Sequence, residues 1–178
     1  MIYRFKYDSP VGKLNIASCD DGLLELSFEE REEPRAYEDE EEKVLSVEEV
    51  AESDTEEQAV KYLRSAKNWL DIYFSGKKPD IKIPYHFIGT DFQKEVWGVL
   101  STVPYGQTMT YGDIANMIAM LHGRENMSAQ AIGQAVGKNP ISIIVPCHRV
   151  IGANGKLTGY AAGLDIKAKL LEIEGISV

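Results

Sequence analysis

The sequence predicts an α+β fold, with strands first and helices after. Three observations lead there. Residues 1–28 alternate apolar and polar side chains between turn signals. Beyond residue 55 the apolar positions recur at helical spacing. A strongly acidic stretch separates the two regimes. A chain of 178 residues with 44% hydrophobic content can build one or two small domains, each with a core. We expect a strand domain over residues 1–88, carrying the acidic stretch and a connecting helix, and a mostly helical domain over 89–178.

The elements follow in order. Tyr3, Phe5 and Tyr7 alternate with Arg4 and Lys6, and Leu14 and Ile16 alternate with Lys13 and Asn15, so both segments read as strands. Asp8-Ser9-Pro10-Val11-Gly12 and Asp20-Asp21-Gly22 are turns, and residues 23–28 form a third strand. Thr55, Glu56 and Glu57 open a helix whose Val60, Leu63, Leu70 and Phe74 keep helical spacing up to Gly76. Ile81-Lys82-Ile83 reads as a short strand within a Gly- and Pro-rich connection. Residues 92–101 form a helix with Phe92, Val96, Val99 and Leu100 inward, and Pro104-Tyr105-Gly106 turns the chain. Residues 111–121 form the next helix, with Ile114, Met117, Ile118 and Leu121 on its inner face. A polar loop then leads to a short helix from Ser128, with Ile132, Ala135 and Val136 inward, ended by Asn139-Pro140. The two short helices fit a helix-turn-helix, although pattern alone does not separate that from any packed pair. Ile141-Ser142-Ile143-Ile144-Val145 reads as a buried strand-like run, and a last helix spans residues 164–174 before Gly175.

The charge distribution matters more than its total. The net charge of −9 argues on its face against a nucleic-acid partner. Residues 29–57 hold 15 Asp/Glu and three Lys/Arg, a net of −12, whereas residues 90–178 balance at seven of each. The acidic segment, centred on Glu38-Asp39-Glu40-Glu41-Glu42, reads as a solvated loop, with Val44, Leu45, Val47 and Val50 available to pin it. No apolar run reaches the roughly 18 residues of a membrane span, and Met1 to Lys6 lacks an apolar leader. We therefore expect a soluble, cytoplasmic protein with no membrane partner. The two cysteines, Cys19 and Cys147, form no CxxC pair and no zinc-ligand spacing. Cys19 beside Asp20 reads as an ordinary small residue.

The chemistry concentrates in Pro146-Cys147-His148-Arg149, a thiol next to an imidazole and a guanidinium. A free thiol has a pKa of about 8.5, so a proton acceptor or nearby positive charge is needed to make it a nucleophile at pH 7. On a strand, neighbouring side chains point to opposite faces, which leaves an inert buried Cys147 open as an alternative. A Cys-His hydrolase is open as well.

The motif Pro146-Cys147-His148-Arg149-Val150, with Asn139-Pro140 before it and Gly159-Tyr160-Ala161-Ala162-Gly163-Leu164 after it, resembles the O6-alkylguanine-DNA alkyltransferase family. Gly89-Thr90-Asp91-Phe92-Gln93, Val96-Trp97, Pro104-Tyr105-Gly106 and Thr110-Tyr111 extend the resemblance over about residues 58–176. It implies a ribonuclease H-like strand domain followed by a winged helix-turn-helix-like domain. It also implies a monomeric DNA repair protein acting on duplex DNA that contains O6-alkylguanine. Such proteins bind in the minor groove, flip the damaged base, and accept its alkyl group irreversibly on a cysteine, with no metal or organic cofactor. On this resemblance Cys147 is the acceptor, His148 takes its proton through a water, and Glu174 polarises His148. Asn139 holds the turn carrying Cys147, and Tyr111 assists departure of the guanine. Val150, Tyr160, Ala161 and Ala162 shape the pocket, and Ala129, Gln130, Ala131 and Gly133 meet the DNA. Arg149 is expected to be a structural ion-pair partner.

Three departures qualify the resemblance. Gln130 stands where the family usually has an arginine that fills the gap left by the flipped base. The loop containing His122-Gly123-Arg124-Glu125-Asn126 is about five residues longer than usual. Ala162 replaces a common glycine, and its methyl would narrow the pocket. A lesion-binding relative that accepts no alkyl group is the main alternative, and the presence of Cys147 argues against it.

Overall fold

The computed structural model describes residues 1–30, 37 and 40–178, and the chain divides into two compact units, Met1–Ile88 and Gly89–Val178. Glu38 and Asp39, the centre of the predicted acidic loop, lie outside the described residues.

In the first unit the alternating segments become β1 (Ile2–Ser9), β2 (Gly12–Cys19) and β3 (Gly22–Phe28), an antiparallel meander. The sheet order is β3-β2-β1-β4, where β4 (Glu42–Val44) runs parallel to β1. Helix α1 (Val47–Glu52) follows, held by a reciprocal cap between Ser46 and Glu49. Helix α2 (Gln58–Phe74) covers the sheet with Ala59, Val60, Leu63, Ala66, Leu70 and Tyr73 buried. Each fully buried leucine there contributes about 1.5–3 kcal/mol by leaving water. Polar ties fix the register: Ser18 Oγ donates to the Ala59 carbonyl at 2.7 Å and the Tyr7 hydroxyl to Asp71 at 2.7 Å. Past α2 the chain returns to the sheet: Leu23 N–H donates to the Pro84 carbonyl at 2.9 Å, and His86 N–H to the Leu23 carbonyl at 2.8 Å. This return passes so close to Gly22 (φ +146°) that a Cβ there would lie 2.6 Å from the Pro84 oxygen. Only glycine satisfies both the angle and the approach.

In the second unit α3 (Asp91–Leu100) begins at a Thr90–Gln93 capping box and buries Val96, Trp97, Val99 and Leu100. Trp97 donates its indole N–H to the Ala135 carbonyl at 2.8 Å. That bond ties α3 to α5 (Ala129–Gly137), which packs in turn on α4 (Tyr111–Leu121). Thr110 and Asp113 cap α4 reciprocally, and Ser128 caps α5. Strand β5 (Met109–Thr110) pairs in parallel with β6 (Val150–Ile151), and α6 (Leu164–Ile173) closes the unit.

Several expectations change. The acidic stretch is not all loop: it supplies β4 and α1, with Val50 fully buried and Val44 largely exposed. Helix α2 begins at Gln58, after Glu57, because Thr55 uses its hydroxyl to accept from Glu57 N–H in a turn. Ile81-Lys82-Ile83 is not a strand; the contact with β3 falls at Tyr85. On α4 only Ile114 and Ile118 of the predicted quartet are buried, and Leu121 is 71% exposed. The 141–145 run is buried but is a turn, since Ile143 has φ 69°. No helix among the described residues is long and apolar enough to cross a membrane.

Candidate active site

The turn between α5 and β6 is built around one side chain. Asn139 accepts from Ile141 N–H at 3.1 Å and donates to the carbonyls of Val145 at 2.9 Å and Ile141 at 3.4 Å. Its amide thus does for this buried turn what a sheet neighbour would do for a strand. Within the turn, Ile143 is a fully buried β-branched residue in the left-handed region, which costs of order 1–3 kcal/mol. The turn delivers Pro146 and then a 3-10 turn, Cys147–Arg149. Cys147 and His148 are therefore not strand neighbours, and the argument that a strand would point them apart does not apply. Cys147 is 7% exposed and His148 is fully buried.

Glu174, the C-cap of α6, gathers the groups around this turn. Its Oε1 lies 2.6 Å from His148 Nε2, and its Oε2 accepts from Arg149 Nε at 2.8 Å and from Gly106 N–H at 3.0 Å. Arg149 also donates to Glu174 Oε1 at 3.0 Å and to the Val103 carbonyl at 2.7 Å. Burial alone would raise the Glu174 pKa, but the bonds from His148 and Arg149 overcome it and hold the carboxyl at about 2. Burial lowers the His148 pKa against the opposing pull of Glu174, which favours the neutral imidazole. An ionised carboxylate only accepts, so His148 Nε2 carries the proton, and Nδ1 is the nitrogen with a lone pair to offer.

A second wall comes from residues 158–163. The Tyr111 hydroxyl, at the start of α4, lies 3.5 Å from the carbonyls of Thr158 and Gly159. Burial and then the charge of Cys147 raise the Tyr111 pKa, so the phenol keeps its proton. Val150 is buried, Tyr160 and Ala162 are half-buried, and Ala161 is exposed. One residue escaped sequence reasoning. Lys167, on α6, is fully buried and donates to the carbonyls of Val150 at 2.5 Å, Thr158 at 2.7 Å and Gly159 at 3.3 Å.

Comparison with known proteins decides the family. The model for the DNA-binding domain of 6-O-methylguanine DNA methyltransferase matches residues 91–176, and that for its ribonuclease-like domain matches residues 2–87. The chain belongs to the 6-O-methylguanine DNA methyltransferase family. The methylated-DNA–protein-cysteine methyltransferase of Methanosarcina acetivorans is 41% identical over 98% of this chain and 99% of its own. That of Mycolicibacterium paratuberculosis is 37% identical over 98% and 93% respectively. The crystal structure of the Mycobacterium tuberculosis O6-methylguanine methyltransferase superposes with a TM-score of 0.76 at 37% identity, covering 98% of this chain and 93% of that one. The same M. tuberculosis protein, in complex with DNA, matches with the same TM-score over 97% and 92%.

The methyltransferase's DNA-binding domain thus contains both the Cys147 turn and the α4–α5 pair. Gln130 and Ala129 are exposed on the first turn of α5, and Ala131 and Gly133 are half-buried beside them. Met120 and Leu121 are exposed at the end of α4, where His122 Nε2 lies 2.6 Å from Glu95 on α3. The ribonuclease-like domain holds a further group invisible in sequence spacing: Cys19, Asp21 and His86 bring their donor atoms within 4.8 Å of one another.

Proposed function

We infer that this chain is a DNA repair methyltransferase that takes alkyl groups from O6 of guanine in duplex DNA onto its own Cys147, once per molecule. The observation that carries this reading is the buried His148–Glu174 pair, at 2.6 Å, next to a thiol on a rigid turn. Neutral His148 takes the thiol proton at Nδ1, directly or through a water, and Glu174 stabilises the resulting imidazolium through Nε2. The thiolate sulfur attacks the alkyl carbon. The S–C bond forms as the C–O6 bond breaks, and the electron pair leaves on the guanine, which takes up a proton. Tyr111, still protonated, hydrogen-bonds the departing base. The stable thioether on Cys147 ends the reaction, so each molecule acts once.

The base reaches the sulfur by leaving the helix stack, and the pocket lined by Val150, Tyr160, Ala161 and Ala162 receives it. The first turn of α5, with Ala129, Gln130, Ala131 and Gly133, lies against the DNA. Residues 90–178 carry no net charge, so few phosphates are neutralised and binding depends weakly on salt. The protein acts as a monomer in the cytoplasm, where reducing conditions keep Cys147 a thiol rather than a disulfide.

The test is stoichiometric. Incubated with duplex DNA containing O6-methylguanine, the protein should gain the mass of one CH2, mapped to Cys147, and then stop. Cys147→Ala should bind the DNA and gain nothing. Lesion binding without an adduct would favour a non-catalytic binder, and repeated turnover a hydrolase.

A further inference from the structure

We propose that Arg124, in the connection between α4 and α5, is a DNA-positioning residue: its guanidinium holds a phosphate of the duplex beside the first turn of α5. The inference rests on α5 being the helix that meets the DNA.

The connection is anchored at its start. His122 ends α4, and Gly123, in the left-handed region at φ +59°, turns the chain back on the helix. Gly123 N–H donates to the Met120 carbonyl at 3.2 Å, and Arg124 N–H donates to the Ala119 carbonyl at 2.9 Å. These two bonds are a Schellman closure, and they fix the main chain as far as Arg124. The His122 ring, 2.6 Å from Glu95 on α3, braces the same corner. Ser128, four residues on, caps α5. Four residues span at most about 14 Å, so Arg124 projects from a fixed point close to the first turn of α5.

The distribution of cations leaves this residue to the task. Of the seven basic residues in the second unit, Arg149 and Lys167 are buried and bonded inside it. Lys94 lies on α3, Lys156 follows β6 and Lys169 lies on α6. Lys138 stands at the far end of α5, about 15 Å from Ser128 at 1.5 Å per residue. The first turn of α5, with Ala129, Gln130 and Ala131, has no charged side chain of its own. Arg124 is exposed, and among the described residues its guanidinium has no ion-pair partner. Its main-chain N–H makes the cap, which leaves the side chain for a ligand. A guanidinium matches two phosphate oxygens with its planar fork, and a side chain on an ordered main chain has less freedom to lose on binding.

The test is equilibrium binding of the full-length protein to an undamaged duplex, read by fluorescence anisotropy over a range of salt. Each phosphate neutralised on B-DNA contributes about 0.9 to the slope of log affinity against log salt. Arg124→Gln should flatten the slope by about that amount, so its affinity falls about fifteenfold at about 0.05 M salt and about threefold at about 0.3 M. Arg124→Lys keeps the charge and should restore most of the slope. Lys169→Gln, which removes the same charge from α6, should leave the slope unchanged. In single-turnover transfer from an O6-methylguanine duplex, Arg124→Gln should raise the half-saturating DNA concentration and leave the saturating rate within twofold. An unchanged slope in Arg124→Gln overturns the proposal. So does an equal flattening in Lys169→Gln, the mark of net charge alone, or a loss of affinity that is the same at every salt, the mark of a structural residue. Binding to undamaged DNA is independent of the acceptor chemistry: if no adduct forms on Cys147, the transfer reading fails and the salt series still judges Arg124. If Ala131→Glu leaves duplex binding intact, or the wild type binds no duplex, α5 is not the docking helix and the proposal falls with it.

Discussion

Replacing Glu174 with Gln removes one charge from the centre of the site and little else. The carboxylate accepts from His148, twice from Arg149, and from Gly106 N–H, and its side chain is fully buried. Its pKa falls from an ordinary 4.5 to about 2 in the folded protein. At about 1.4 kcal/mol per pH unit, that interval is worth about 3 kcal/mol. A second route gives the same size: removing one partner of a buried ion pair, here leaving Arg149 uncompensated, costs about 3–5 kcal/mol. The sign follows from the direction of the shift. A depressed carboxylate stabilises the fold fully above its unfolded value of 4.5, and loses that contribution as pH falls through about 2. Urea denaturation should therefore show Glu174→Gln about 3 kcal/mol less stable than wild type at pH 7, with the gap roughly halved by pH 3. Transfer should slow as well, because an amide does not stabilise the imidazolium. A gap below about 1 kcal/mol at pH 7, or one that stays constant down to pH 3, would refute the view that Glu174 acts as a buried, ionised hub.

Three further outcomes are expected. Asn139→Ala leaves three main-chain groups of the Cys147 turn without their partner, and should cost about 2–4 kcal/mol in urea denaturation while slowing single-turnover transfer. Gln130→Arg should tighten duplex binding, steepen its salt dependence by about one phosphate contact, and speed transfer; an unchanged or slower single-turnover rate would count against α5 as the base-displacing helix. Gly22→Ala should destabilise the first unit by more than about 2 kcal/mol, read by denaturation, because the new Cβ meets the Pro84 oxygen at 2.6 Å in a left-handed backbone.

Much of the fold was legible because its signals are periodic. Tyr3, Phe5 and Tyr7 on β1, and Val60, Leu63 and Leu70 on α2, announce their elements through side chains that meet a core. The failures share a cause: structure made by the main chain leaves little mark on side-chain pattern. Strand β4 is three residues that bring no apolar side chain to the core, and its backbone pairing with β1 defines it. Ile141 to Val145 are apolar because they are buried, and their conformation is set by Asn139, which lies outside the run. Met117 and Leu121 fit the inner-face pattern of α4, yet both are exposed, and the small Ala115 and Ala119 are buried beside Ile114 and Ile118 instead. Within the site, adjacency made Cys147, His148 and Arg149 readable, and the family motif brought in Glu174, 25 residues beyond Arg149. Lys167 was invisible because lysine on a short amphipathic helix reads as solvent-facing, and only the three converging carbonyls explain its burial.

The small strand β4 bears on how such a protein is kept in the cell. A repair agent destroyed by its own reaction must be stockpiled, one copy for each lesion, and stockpiles invite sheet-to-sheet stacking. This sheet ends on one side in Glu42, Lys43 and Val44, three exposed residues of which two are charged, and Arg4 of β1 ties Glu42 in place at 3.1 Å. On the other side, β3 is bridged by the returning chain at Tyr85. Neither border offers a long, bare row of amides to a neighbouring copy. The acidic stretch that reads at first as spare charge thus supplies a charged edge for the sheet's open border.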